Sequence, residues 1–460
     1  MKSMKKLVLA GLILLASVVG LLPLVGCKND SVPEVPKYTV KFAKGNNTEV
    51  VSDLPSNLMV ESGTVLTAEQ LKPLTNTEKY AFVGWYDGET KAVAGTYTVT
   101  KDVTLTAQWK KAIRVTQMNL DEGLDKAITD PDSILVLEEN ITVKTPINIE
   151  SGNVTIDLNG KTLKNESGTV VQVAENATLT IMDTGKGGSI SGVGFGVDNY
   201  GSLTVEGGSI SGDTYGVQNF NSGTLEVTGG IISADGANSF GVSNYGILTV
   251  EGGSISGDNS GVNNYGRLTV EGGSISASGA NSSGVINNDS LTLEGGSISG
   301  VDYGVQNFDS GTLKVTGGII SADGANSFGV ENNGTLEVTG GIISADGENS
   351  YGVSNYGILT VEGGSISGVD YGVFSRGTLN LSGAPKITTF YLTSPITIVG
   401  DLTDDNPSYS VEWKGDTTDG TTIVVGGEQV TLTADIAQKF TFKDIEVEFE
   451  ESTKALVVKN

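Results

Sequence analysis

The chain has 460 residues, 64 Gly against 10 Pro and 6% aromatic content, which fits neither collagen nor a disordered tract and suits many short strands joined by tight turns. Lys and Arg number 28 against 54 Asp and Glu, a net charge of −26, which repels phosphate backbones and argues against a nucleic-acid partner. With no His and a single Cys, the chain lacks the usual neutral-pH acid–base group, an internal disulfide and a thiolate zinc cage.

Lys2, Lys5 and Lys6 precede an apolar run from Leu7 to Val25, the charged and hydrophobic regions of a secretory signal over residues 1–26. The run ends Leu24-Val25-Gly26-Cys27, which resembles the lipobox of bacterial lipoproteins. That resemblance implies that Cys27 becomes the acylated first residue of the mature chain, whose partner at this end is a membrane reached through lipid. An uncleaved spanning helix is the alternative, but the run is near the minimum length and is broken by Gly20 and Pro23. Residues 27–37 carry Pro33 and Pro36 without apolar periodicity and read as a tether. The expected location is outside the cytoplasm, anchored to the cell membrane or outer membrane and displayed at the cell surface.

Residues 38–110 alternate as strands do, as in Tyr38-Thr39-Val40-Lys41-Phe42 and Tyr97-Thr98-Val99-Thr100. Phe82-Val83-Gly84-Trp85-Tyr86 and Thr104-Leu105-Thr106-Ala107-Gln108-Trp109 resemble signatures of the internalin B-repeat family, which implies a small β-grasp-like spacer or binding module with no catalytic residues. Trp85 and Trp109 are expected as core anchors.

Between Asn119 and Ile128, Leu120, Leu124, Ala127 and Ile128 share one helical face, with Asn119 placed as N-cap and Glu122 three residues on in the capping-box position. This helix is expected to cover the first coil of a solenoid. C-terminal to it the chain repeats every 20–24 residues as G-x-L-x-V-x-G-G-x-I-S-x, a variable loop, then aromatic-G-V-x-N. Columns such as Leu203, Leu225, Leu248 and Leu268, with Val205, Val227, Val250 and Val270 two residues on, put Leu, Val and Ile inside, because alternate strand residues share a face. A unit this short buries its apolar face only by stacking on its neighbours. The expected fold is all-β, a right-handed parallel β-helix over residues 111–392 with three strands per coil. In architecture the repeats resemble the pectin-lyase-like superfamily and its adhesin relatives. The calcium-binding Asp set and basic Arg or Lys of its lyases, and the clustered Asp of its hydrolases, have no counterpart here, and Arg267 and Arg376 lie in separate units.

Asn199, Asn219, Asn244, Asn264, Asn287, Asn307, Asn332 and Asn355 fall at one corner, where stacked amides can bond along the column as a structural ladder. Paired glycines such as Gly252-Gly253 suit a sharp corner with positive φ. Past Pro395 the repeat is lost, and residues 393–460 are expected as a β cap or separate small β domain.

Three features could carry function. Glu251, Glu271 and Glu294 occupy equivalent outward positions at roughly the 4.8 Å strand spacing. They are read first as a solvated face, then as weak calcium candidates, and last as a glycosidase-like carboxylate pair. The loops Asp235–Ser239, Asp323–Ser327 and Asp346–Ser350 read as polar turns, with calcium or glycan binding as the alternative. Phe195, Tyr215, Phe240, Tyr303, Phe328, Tyr351 and Tyr371 share the parity of the inward Val and are expected to stack inside. Tyr200, Phe220, Tyr245, Tyr265, Phe308 and Tyr356 come directly after the Asn corner and form a possible ligand face, a sugar-stacking stripe. No catalytic constellation emerges and no cofactor is required, calcium being the one considered. The expectation is a lipid-anchored, adhesin-like surface protein of ten or eleven coils that presents a repetitive face to a protein or glycan. The alternatives are a polysaccharide-degrading lyase or glycoside hydrolase and a periplasmic structural lipoprotein.

Overall fold

The structure, a computed structural model, describes residues 35–45, 54–403, 409–428 and 430–459. The expected signal segment, Cys27 and most of the tether lie outside the described residues. Within them the chain is a parallel β-solenoid of about 13 turns. Coils pair in register, Leu203 on Leu225, Ile210 on Ile232 and Asn199 on Asn219. The result is three sheets: one of Leu-x-Val strands, one of Ser-Ile-Ser strands, and one of Gly-Val-x-Asn strands, here called the asparagine sheet.

The columns read from the sequence form the core. Leu248, Val250, Ile255 and Val262 of one coil are all 0% exposed, and each such side chain contributes roughly 1.5–3 kcal/mol by leaving water. The corner after Val uses its two glycines differently. Gly253 has φ +68°, a left-handed value, whereas a Cβ on Gly252 would lie 2.4 Å from the Thr228 carbonyl of the coil below. The first glycine therefore permits close stacking and the second permits the turn.

The N-terminal module does not end at residue 110. A single strand, Val103–Val115, pairs with Lys37–Ala43 and Tyr80–Asp87 in the module and, through Lys111–Val115, with Ser133–Leu137 of the first coil. Module and solenoid thus share a strand, and the module folds back along the first coils. Ala81, Ile134, Val136 and Met182 form a buried cluster between them. The Asn76 amide donates to Asp157 Oδ2 at 2.6 Å and to Thr184 Oγ1 at 3.0 Å. Trp85 is buried with its indole donating to the Lys72 carbonyl, and half-buried Trp109 donates to the Lys44 carbonyl. Among the described residues the module contains strands and turns and no helix.

Helix Leu120–Thr129 packs Leu120 and Ala127 onto the solenoid core and covers its first coil. Asn119 stands at the N-cap without a side-chain cap bond, because its Oδ1 accepts from the Thr116 N–H and hydroxyl instead. Glu122 pairs with Lys126 at 2.6 Å, so the expected capping box does not form.

At the far end the solenoid continues where the repeat stops. Ile396–Leu402 and Thr422–Gly426 extend the Leu-x-Val sheet in parallel, and Tyr409–Trp413 and Phe440–Lys443 extend the asparagine sheet. Only the Ser-Ile-Ser sheet ends, at Lys386–Ile387. Antiparallel strands Glu446–Glu450 and Ala455–Lys459 then close the end. Trp413, Val424, Phe440 and Val458 belong to the same core as the repeats, so the described residues past 393 form a tapering cap and not a separate domain.

Candidate binding face

The asparagine sheet is built around its ladder. Each Asn Nδ2 donates to Oδ1 of the next coil's Asn, from Asn199 to Asn219 at 2.7 Å, through Asn244, Asn264, Asn287, Asn307 and Asn332, to Asn355 at 2.8 Å. Asn355 hands the last bond to the Ser375 hydroxyl at 3.0 Å. The other N–H of each amide reaches a backbone carbonyl of the next coil, as from Asn264 to Ser290 at 3.0 Å. All eight are 0% exposed. The bonds run one way, so the first rung has no donor: Asn199 Oδ1 is buried without a partner, and the residue below it in the column is Val173.

Aromatic rings border this sheet on both sides. The first column departs from expectation, because Phe195, Tyr215, Phe240, Tyr303, Phe328, Tyr351 and Tyr371 are half-buried at the surface and not stacked inside. The glycine after each ring breaks the alternation. A Cβ on Gly196 would lie 2.6 Å from core Ile210 Cγ2, and Val197 after it is also fully buried. Two successive inward positions turn the preceding ring outward. The rings stack coil on coil, Phe195 on Tyr215 at 5.2 Å and Tyr303 on Phe328 at 5.6 Å between centroids. Buried Ser260 and Ser283 interrupt the column.

The second column lies just past the ladder. Tyr200 stacks on Phe220 at 4.0 Å and Tyr245 on Tyr265 at 5.1 Å, both at 6° between planes. Tyr265, Phe308 and Tyr356 are 46, 40 and 46% exposed. Within the stacked pairs the rings cover each other's inner faces, so the stripe is no continuous platform of free ring faces.

Between the columns lie Asp198, Gln218, Ser243, Asn263, Ile286, Gln306 and Glu331, paired in register. Gln306 accepts from the Ser283 hydroxyl at 2.8 Å and donates to Glu331 at 3.2 Å. Burial pushes the Asp198 carboxyl above the usual range, against the opposing bond from Thr169. One oxygen each of Asp198 and Asn263 is buried without a partner. This face can offer a ligand ring edges, some ring faces and amide or hydroxyl groups, and it has no Lys in its central column.

The carboxylate column lies elsewhere, on the corner after the Leu-x-Val strands. Glu251, Glu271 and Glu294 occupy equivalent positions, each N–H donating to the Val of the coil below. Glu271 and Glu294 are exposed and Glu251 is half-buried. Burial first, then Glu226 and Glu271, raise the Glu251 carboxyl above its ordinary value. Among the described residues no group of three or more His, Cys, Asp or Glu lies close enough to hold a metal ion. Glu251, Glu226 and Glu206 line an open cleft of about 690 Å³ between coils and module, with Trp85 and Lys91 on its module side. Lys91 pairs with Glu206 at 2.5 Å. Sequence reasoning missed this cleft, because only the docked module creates it.

Of the inserted loops, Asp323–Ser327 and Asp346–Ser350 lie in adjacent coils and stack on each other, whereas Asp235–Ser239 meets Asp213 and Asp258 of its own neighbouring coils. Asn238, Asn326 and Asn349 adopt left-handed φ of 59°, 59° and 58°, which Asn tolerates better than most residues. Ser327 and Ser350 bond across coils at 3.0 Å while buried, so two of the loop serines are structural. No family model, curated protein or solved structure matched the chain.

Proposed function

We propose that the chain is a lipid-anchored surface protein that binds a neutral glycan along the outer face of its asparagine sheet. The observation that carries this reading is the pair of aromatic columns flanking a mainly polar column on one sheet. Aromatic rings take the apolar C–H surfaces of sugars, while amides and hydroxyls take their hydroxyl groups. A net charge of −26 disfavours anionic glycans and makes a neutral one the fitting class. The lipobox ending in Cys27 supplies the anchor, and the resemblances to internalin B-repeats and to adhesin-like β-helices suit display outside the cell. Calcium at Glu251, Glu271 and Glu294 has no part in this reading.

Affinity electrophoresis of the full chain in detergent tests the reading. Retardation in gels cast with a neutral polysaccharide, and none with an anionic one, is the expected result. Free migration through every neutral polysaccharide overturns it, and chain-shortened products would move the protein to the degrading enzymes. Protease digestion on intact cells tests the location, since protection until the envelope is permeabilised contradicts surface display.

A further inference from the structure

The column just past the ladder changes character midway. In successive coils it runs Tyr265, Asn288, Phe308, Asn333, Tyr356, because the ladder residues before them, Asn264, Asn287, Asn307, Asn332 and Asn355, pair coil to coil. Nearer the N-terminus the same column places ring on ring in adjacent coils at 4.0 and 5.1 Å, so one coil holds one ring. Each Asn coil therefore leaves a slot one ring wide, its walls two coil steps apart, roughly 10 Å at the strand spacing.

We infer that the two slots, Tyr265–Asn288–Phe308 and Phe308–Asn333–Tyr356, each receive one neutral pyranose, a terminal or branch sugar of a glycan lying along the solenoid. This rests on the glycan-binding reading and specifies which part of the glycan enters. No other ring of the column covers Tyr265 on the Asn288 side, Phe308 on either side, or Tyr356 on the Asn333 side. The half-buried amides of Asn288 and Asn333 make no hydrogen bond among the described residues; each backbone N–H donates to the ladder carbonyl below, and the Asn288 carbonyl accepts from the Ser310 hydroxyl at 2.7 Å. Ladder Asn287 and Asn332, one residue before, have both N–H groups committed. A free amide offers a donor and an acceptor side by side, which matches two neighbouring sugar hydroxyls. The stacked rings lie across the solenoid axis, so a sugar inserted between such walls lies across it too. That orientation suits a side branch and not the backbone of an extended glycan.

The test compares galactomannan and xyloglucan, which carry branch sugars, with unbranched mannan and an unbranched β-glucan, by affinity electrophoresis of the full chain. The expected result is stronger retardation by at least one branched glycan than by its unbranched counterpart. Phe308→Ala, which removes a wall from both slots, should weaken that binding at least tenfold. Asn288→Ala and Asn333→Ala should each weaken it less, and Met59→Ala, at an exposed site in the module, should leave it unchanged. Unaltered thermal unfolding of Phe308→Ala separates lost binding from lost fold. Equal retardation by branched and unbranched glycans, or binding indifferent to Phe308→Ala, overturns the slots while the glycan-binding reading stands. Retardation by none of the four overturns both.

Discussion

Replacing Asn264 by Ala in the middle of the ladder removes three donated bonds, to Asn287 Oδ1 at 2.8 Å, Gly266 O at 2.9 Å and Ser290 O at 3.0 Å. It also removes the bond accepted from Asn244 at 2.8 Å. Two buried side-chain groups are then stranded, an N–H of Asn244 and Oδ1 of Asn287. At about 1–3 kcal/mol for each buried polar group left unmade, the variant loses about 2–6 kcal/mol. Asn199→Ala strands only Asn219 Oδ1 and deletes an acceptor that already lacks a partner, so its cost is about 1–3 kcal/mol. Because each coil touches only its neighbours, the loss is local. Hydrogen exchange of the full chain should show amides in the coils beside Asn264 opening at least about 30-fold more readily, the equivalent of about 2 kcal/mol. Coils near Thr378 should be unchanged. Equal effects of the two substitutions, or no acceleration beside residue 264, would refute the ladder as a source of stability.

Val173→Thr places a hydroxyl below the orphaned Asn199 Oδ1 and should stabilise the first coils by about 0.5–1.5 kcal/mol, read as a raised urea midpoint; an unchanged or lowered midpoint counts against it. The raised Glu251 carboxyl gives a pH effect of fixed sign. A folded pKa above the unfolded one means that its stabilising contribution is full below the unfolded value of about 4.5 and is lost as pH rises through the folded one. Glu251→Gln should therefore be more stable than the parent at neutral pH, with the difference shrinking on acidification, as urea titrations at both pH values would read. Asn76→Ala removes the bonds to Asp157 and Thr184 and should speed proteolysis within the module while leaving distant coils protected; uniform digestion would contradict the docking.

Much of the solenoid was legible because its signals are local and repeated. Leu, Val and Ile at fixed spacing can bury only by stacking, and an Asn recurring at one corner coil after coil can bond to the Asn of the next. What escaped the sequence were single, non-repeating contacts. Nothing periodic announces that Asn76 meets Asp157 or that Lys91 meets Glu206, so the module read as a bead before the rod, with a boundary inside what is one strand. Parity failed at Gly196 and its equivalents, where a glycine turned inward reverses the ring beside it. The C-terminal coils were missed because they drop the Ser-Ile-Ser strand and its spacing while keeping two of three sheets. At Asn119 a neighbouring Thr116 outcompeted the helix N–H groups for the side chain. The alternation of Tyr265, Asn288, Phe308, Asn333 and Tyr356 stood in the sequence, but its meaning depended on ring stacking elsewhere in the column.

The most direct measurement of the central claim is hydroxyl-radical footprinting of the full chain with and without a retained neutral polysaccharide. Protection concentrated on Tyr245, Tyr265, Phe308 and Tyr356 and on the facing rings Tyr303 and Phe328, with Met59 in the module unaffected, is the expected result. Protection confined to the module cleft around Trp85, or to the loop tips near Asn238 and Asn349, would contradict a glycan-binding asparagine sheet.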